Sequence, residues 1–225
     1  MNLVDFEVLL PLIFLVVLGC VLLIVDLFIP KKRKWLTALL SGLSLAWVLG
    51  LTLSQLGLEN TGFNNMVVVD GFSVFVNTLL LVTGILGVML AYGYVKRMGI
   101  ERGEYYTLML FSVGGMMLMA QAADLIVVFL ALEMLSLPLY VLSAFARPKT
   151  DSEESGLKYF LLGAFSSGFF VYGMALIYGA AGGIITVLIR NIGVYADGVL
   201  YAILVINLIQ PLVDKIRPQA VGKVV

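Results

Sequence analysis

Apolar residues run for about twenty positions at a time along this chain, separated by short polar connections. Roughly twenty such residues in a helix cross the hydrocarbon core of a bilayer. On that ruler the pattern predicts helices near 7–29, 36–56, 71–95, 105–121, 124–146, 154–180 and 196–213. Backbone polar groups in lipid have no water to bond, so a spanning segment is either a helix or part of a closed barrel. Barrel strands alternate apolar and polar residues, and these runs do not. The predicted fold is therefore an all-α, polytopic transmembrane helix bundle of about seven spans. The stretch 181–197 (AGGIITVLIRNIGVYAD) is too short in its apolar part to span, and is expected to lie at the interface or re-enter.

The polar connections carry a second pattern. Lys31, Lys32, Arg33 and Lys34 follow the first helix, Lys96, Arg97 and Arg102 the third, Arg147 and Lys149 the fifth, and Lys215, Arg217 and Lys223 close the chain. The alternate connections hold Glu59, Asp70, Asp124, Arg190 and Asp197. Lysine and arginine concentrate in cytoplasmic loops, which predicts the N-terminus outside and the C-terminus inside. Lys31–Lys34 reads as a topology anchor, and 57–70 is the longest outer loop. The first run lacks a preceding basic segment and a small-residue cleavage site, so it reads as a retained helix and not a signal peptide.

Composition agrees. Of 225 residues 61% are hydrophobic and 12% charged, about half the charged share of a soluble domain. Cys20 stands alone, which excludes an internal disulfide, and reads as a small buried hydrophobe. Without a histidine, imidazole metal sites and Ser-His catalysis are excluded too. No nucleotide-binding fingerprint or metal-ligand cluster is visible, so no cofactor is expected in this chain, and nothing points to nucleic acid as a partner.

One residue stands against the pattern. Glu133 lies in the middle of Leu125–Phe145, a run otherwise without charge. An ionisable group at that depth costs on the order of 2–10 kcal/mol unless protonated, paired or hydrated, and marks an ion path by default. A protonated Glu acting only as interhelical glue is the structural alternative. Lys158, near the start of the next helix, is the candidate partner. Burial favours a neutral carboxyl and a nearby cation the carboxylate, so a movable lysine could switch such a group. By itself Lys158 would read as a lysine snorkelling to the headgroups. Pro138, five positions after Glu133, lacks the N–H that would bond the Met134 carbonyl. A kink there would open the helix beside the glutamate; an ordinary membrane-helix proline is the equal alternative.

Asp151-Ser152-Glu153-Glu154 reads as the start of that next helix, with acid at the positive end of its dipole. Gly163, Ala164, Ser166, Ser167, Gly168 and Gly173 then predict a helix packed closely in protein. Gly114-Gly115, followed by Met116, Met117 and Met119, predicts another close contact with adaptable filler.

The string DLIVVFLALEMLSLPLYVLSAFARPKTDSEESGLKYFLLGAFSSGFFVYGMALIYGA, with the earlier VVVDGFSVF, resembles the antiporter-like membrane subunits of respiratory complex I, the bacterial NADH-quinone oxidoreductase, and within them the subunit-N type. The resemblance covers about residues 1–182 and implies a proton-translocating membrane subunit. Quinone and NADH would be used elsewhere in the complex, beside other membrane subunits, in the bacterial inner (plasma) membrane. The family pattern places its transmembrane glutamate on Glu133 and a lysine of the next helix on Lys158. Its later helices and later lysines have no counterpart here. From about Gly183 the chain resembles instead the C-terminal end of the RnfD-type membrane protein of the Rnf complex and of its NqrB-type relative in the sodium-pumping Nqr complex, without their flavin-attachment threonine. The expected organisation is an antiporter-like region over 1–182, then over 183–225 an interfacial segment and one further helix. An Mrp-type cation/proton antiporter component shares the Glu and Lys logic, and a fragment without activity is the third reading.

Overall fold

The apolar runs form helices α1 (Leu3–Phe28), α2 (Trp35–Ser54), α3 (Gly71–Met98), α4 (Glu104–Gln121), α5 (Leu125–Ser143) and α6 (Thr150–Ile192). The computed structural model describes residues 3–192 apart from 31, 32, 101, 147 and 148, with side chains described only between 5 and 183. The expected helix at 196–213, the Arg147 and Arg190 side chains and the basic C-terminus lie outside the described residues. By contact the chain divides after Ser167 into two units, the first of which holds α1–α5 and the start of α6.

Two differences from the expected spans follow. Five of the described helices are long and apolar enough to cross a membrane, namely α1, α2, α3, α5 and α6. The remaining helix, α4, packs against α1, α2, α3 and α5 and buries Thr107, Leu110, Ser112, Val113, Gly114, Gly115 and Met117. A helix surrounded by protein needs no lipid-compatible face, which is why α4 carries polar and small residues. Secondly, α6 does not break in the stretch expected to re-enter. Its backbone continues through Gly182 and Gly183 to Ile192; helix-interior glycines cost about 1 kcal/mol each and do not by themselves end a helix.

Leu15, Leu45, Val48, Leu81, Leu110 and Met117 form the centre of the first unit, fully buried between α1 and α4. Cys20, expected inside, is exposed on the outer face of α1. The connection 57–70 is not a plain loop but an antiparallel hairpin, β1 (Asn60–Gly62) paired with β2 (Val67–Val69). Phe63, Asn64 and Asn65 turn it through left-handed backbone, φ 53°, 54° and 66°. Asp5 holds the turn by accepting from the Phe63 N–H at 2.8 Å. Val67 and Val69 bury against Val8, Val74 and Val127, closing that end of the bundle. Asp70 and Asp124 are helix caps. Asp70 forms a capping box with Ser73, and Asp124 accepts from the Ile126 N–H at 2.8 Å.

The opposite end carries the cations and one buried charge that the apolar pattern does not flag. Asp26, 4% exposed, is held between α1 and α2. Its Oδ2 takes the Lys34 ammonium at 2.5 Å and its Oδ1 the Thr37 hydroxyl at 2.6 Å, while Lys34 also donates to the Asp26 carbonyl at 3.0 Å. Gly103 lies against this carboxylate so closely that a Cβ would overlap it, which pins the approach to α4. Lys34 is therefore a structural ion-pair member as well as part of a basic run.

Candidate functional site

Glu133 reaches its position through the contact between α4 and α5. Gly115 is buried against the α5 backbone just past the glutamate, where a Cβ would lie 2.7 Å from the Leu135 Cα and 2.8 Å from the Met134 carbonyl carbon. The close approach predicted from Gly114-Gly115 is therefore present, and Met117 fills the core beside it. The Met134 carbonyl is also the one that Pro138 leaves without its helical donor. Pro138 is buried, and α5 runs unbroken from Leu125 to Ser143 across it. Gly115→Ala is expected to cost about 1–3 kcal/mol through overpacking against rigid backbone. A thermal unfolding midpoint of the purified chain in detergent measures it, and an unchanged midpoint would show that the two helices separate freely.

Within the first unit α5 and the start of α6 run antiparallel, with a contact at each level. Ser152 donates to the Ser143 carbonyl at 2.8 Å, which with Asp151 and Glu153 in the first turn makes the expected helix start. One level on, the Tyr140 ring meets Tyr159 and Phe160 edge-on at 4.9 and 5.7 Å between centroids. At the deepest level the Ser167 hydroxyl donates to Glu133 Oε1 at 2.5 Å. Glu133 is half-buried, and the polar group that meets it is this hydroxyl.

Lys158 is placed elsewhere. Its ammonium pairs with Glu154, one turn earlier on the same helix, at 2.5 Å, and the two side chains are 70% and 63% exposed. Ser167 is nine positions beyond Lys158, roughly 13 Å along the axis at about 1.5 Å per residue. A lysine side chain does not cover that distance, so the structure does not join Glu133 and Lys158 directly. In the sequence Ser167 stands out only as one of the small residues. A hydroxyl on the helix facing an intramembrane carboxylate is the signal that could have marked its contact.

That small-residue helix approaches α5 closely at Gly156 and Gly163, where a Cβ would overlap Ala144 and the Tyr140 hydroxyl, but is otherwise less enclosed than expected. From Thr150 to Ser167 only Gly156 is buried, while Leu157, Leu161, Leu162 and Phe165 are exposed. A surface this apolar is compatible with lipid or with further protein.

Comparison with known proteins falls on the same elements. Residues 122–213, from the end of α4 past α5 and α6, match the family described as NADH:quinone oxidoreductase/Mrp antiporter, TM. That match continues across the stretch likened above to the Rnf and Nqr membrane proteins. Among curated proteins, NADH-quinone oxidoreductase subunit N of Chloroflexus aggregans is 46% identical over 196 residues, covering 86% of this chain and 39% of that protein. Subunit N 2 of Roseiflexus castenholzii is 47% identical over 164 residues, covering 72% of this chain and 32% of its own length. The fold is similar to a chain of respiratory complex I from Thermus thermophilus, solved with bound aureothin, with a TM-score of 0.62 and 33% identity over 76% of this chain and 37% of that one. The chain thus spans between about a third and two fifths of the curated relatives cited. Residues 122–213 match the NADH:quinone oxidoreductase/Mrp antiporter family of membrane proteins, and the chain resembles the corresponding part of NADH-quinone oxidoreductase subunit N.

Proposed function

We propose that this chain is part of a proton-translocating membrane subunit of a NADH-quinone oxidoreductase, and that Glu133 and Lys158 belong to one proton path. The observation that carries the reading is the half-buried Glu133 carboxylate on an apolar helix, held by a neutral hydroxyl. An ionisable group on an apolar spanning helix marks an ion path by default, and the partner of this one is a hydroxyl and not a cation. The subunit-N relatives support the redox-linked reading over an Mrp-type antiporter working alone.

Lys158 suits a mobile member of such a path. Exposed i,i+4 pairs contribute only about 0.3–0.5 kcal/mol, so it leaves Glu154 at little cost. The proton covers the remaining distance through water or hydroxyl groups, with Ser167 as the donor at the glutamate end. In this reading the chain itself carries no cofactor, and quinone and NADH are used by other subunits. The neighbours are other membrane subunits of the complex and the lipid bilayer, in the inner (plasma) membrane of a bacterium. The basic end then faces the cytoplasm.

Proton uptake driven by NADH in proteoliposomes holding the assembled complex tests the shared path. Lys158→Ala is expected to lower uptake severalfold, and less than Glu133→Gln does. The double variant is expected to be no worse than Glu133→Gln alone, because two groups on one path are not additive. Additive losses would place the two residues on separate routes.

A further inference from the structure

At the basic end of the first unit, a cavity of about 280 Å³ opens between the start of α2, the end of α3 and the start of α4. Lys34, Trp35, Tyr92, Val95, Lys96, Arg102 and Tyr106 line it. Among the described residues the lining brings three cations together and contains no carboxylate. Lys34 has its charge balanced by Asp26, but two of its three ammonium protons are spent there, on Oδ2 and on the Asp26 carbonyl. The third remains for the cavity that Lys34 lines. Neither Lys96 nor Arg102 forms an ion pair with another described residue.

We propose that this cavity binds the phosphate headgroup of an anionic phospholipid. The charge calls for an anion: basic pockets between membrane helices at the headgroup level recognise anionic lipids, and a guanidinium matches a phosphate with paired donors. The size calls for a headgroup, since about 300–1,000 Å³ is the range that encloses a whole drug-sized molecule. The surroundings call for a lipid over a free phosphate. Trp35 and Tyr92, half-exposed in the lining, are the amphipathic residues that settle at a membrane interface. Beyond Trp35 the exposed apolar stripe of α2 continues through Leu39, Leu43 and Trp47 and offers a track for acyl chains. The Asp26–Lys34–Thr37 cluster holds the floor rigid, because moving Lys34 would strand a buried carboxylate. This site lies at the end of the bundle away from Ser167 and Glu133, and the proposal stands independently of the proton-path reading.

Native mass spectrometry of the purified full chain in detergent, titrated with phosphatidylglycerol or with phosphatidylcholine, tests it. Phosphatidylglycerol is expected to remain bound at roughly tenfold lower concentration than phosphatidylcholine. Lys96→Gln with Arg102→Gln removes two exposed cations outside the buried pair and is expected to erase that preference, while Lys96→Arg with Arg102→Lys keeps it. Added inorganic phosphate at the concentration of the lipid is expected to leave the bound lipid in place. Equal binding of the two lipids by the native chain, an unchanged preference after both Gln substitutions, or displacement by inorganic phosphate would each overturn the proposal.

Discussion

Lys34→Ala is expected to destabilise the chain by about 3–5 kcal/mol, the usual cost of leaving one partner of a buried ion pair behind. Asp26 is 4% exposed, and its two oxygens are already committed, one to Lys34 and one to Thr37. Without the ammonium, the carboxylate keeps one neutral donor and cannot move aside, because the Gly103 backbone lies against it. Thermal unfolding of the purified chain in detergent is expected to show a midpoint lowered on the order of 10 °C. Neutralising both partners, with Asp26→Asn and Lys34→Met, is expected to recover most of the loss, since the penalty comes from the uncompensated charge. A double variant as unstable as Lys34→Ala would mean that shape, and not charge, holds this junction of α1, α2 and α4.

The same cluster shows where a sequence reading reaches and where it stops. The helices are legible because a bilayer demands about twenty apolar residues, and α1, α2, α3 and α5 fall within a few positions of their expected places. Hydropathy does not report what surrounds a helix: α4 falls where a span is expected and packs against α1, α2, α3 and α5, but its polar and small residues leave it outside the helices apolar enough to cross a membrane. The 57–70 hairpin escapes the pattern because its turn uses left-handed Phe63-Asn64-Asn65 and not a glycine pair. Glu133 is conspicuous as a lone charge in mid-run. Asp26 obeys the same rule but sits near a helix end beside four basic residues, where an acid looks unexceptional. Its burial depends on Thr37 and Gly103, which lie eleven and seventy-seven positions away. The expected pairing of Glu133 with Lys158 rests on the adjacency of two helices, which says nothing about depth. Ser167 at the level of Glu133, nine positions past Lys158, is what separates them.

Glu133→Gln carries the largest functional effect. Glutamine preserves the shape of the side chain and still accepts the Ser167 hydrogen bond through its carbonyl oxygen, so α5 and α6 keep their contact. It removes only the ability to take up and release a proton. An intramembrane carboxylate that served as interhelical glue would tolerate the change; one that relays protons would not. Membrane insertion and assembly are expected to stay at the native level, because the substitution replaces a costly ionisable group with a neutral one.

The decisive measurement is NADH-driven proton uptake by proteoliposomes containing the assembled complex, with Glu133 intact and with Glu133→Gln, normalised to the amount of chain incorporated. The reading of this chain as a proton-translocating subunit predicts that uptake in the variant falls to the level of the uncoupled control. Uptake equal to that of the native complex would contradict it.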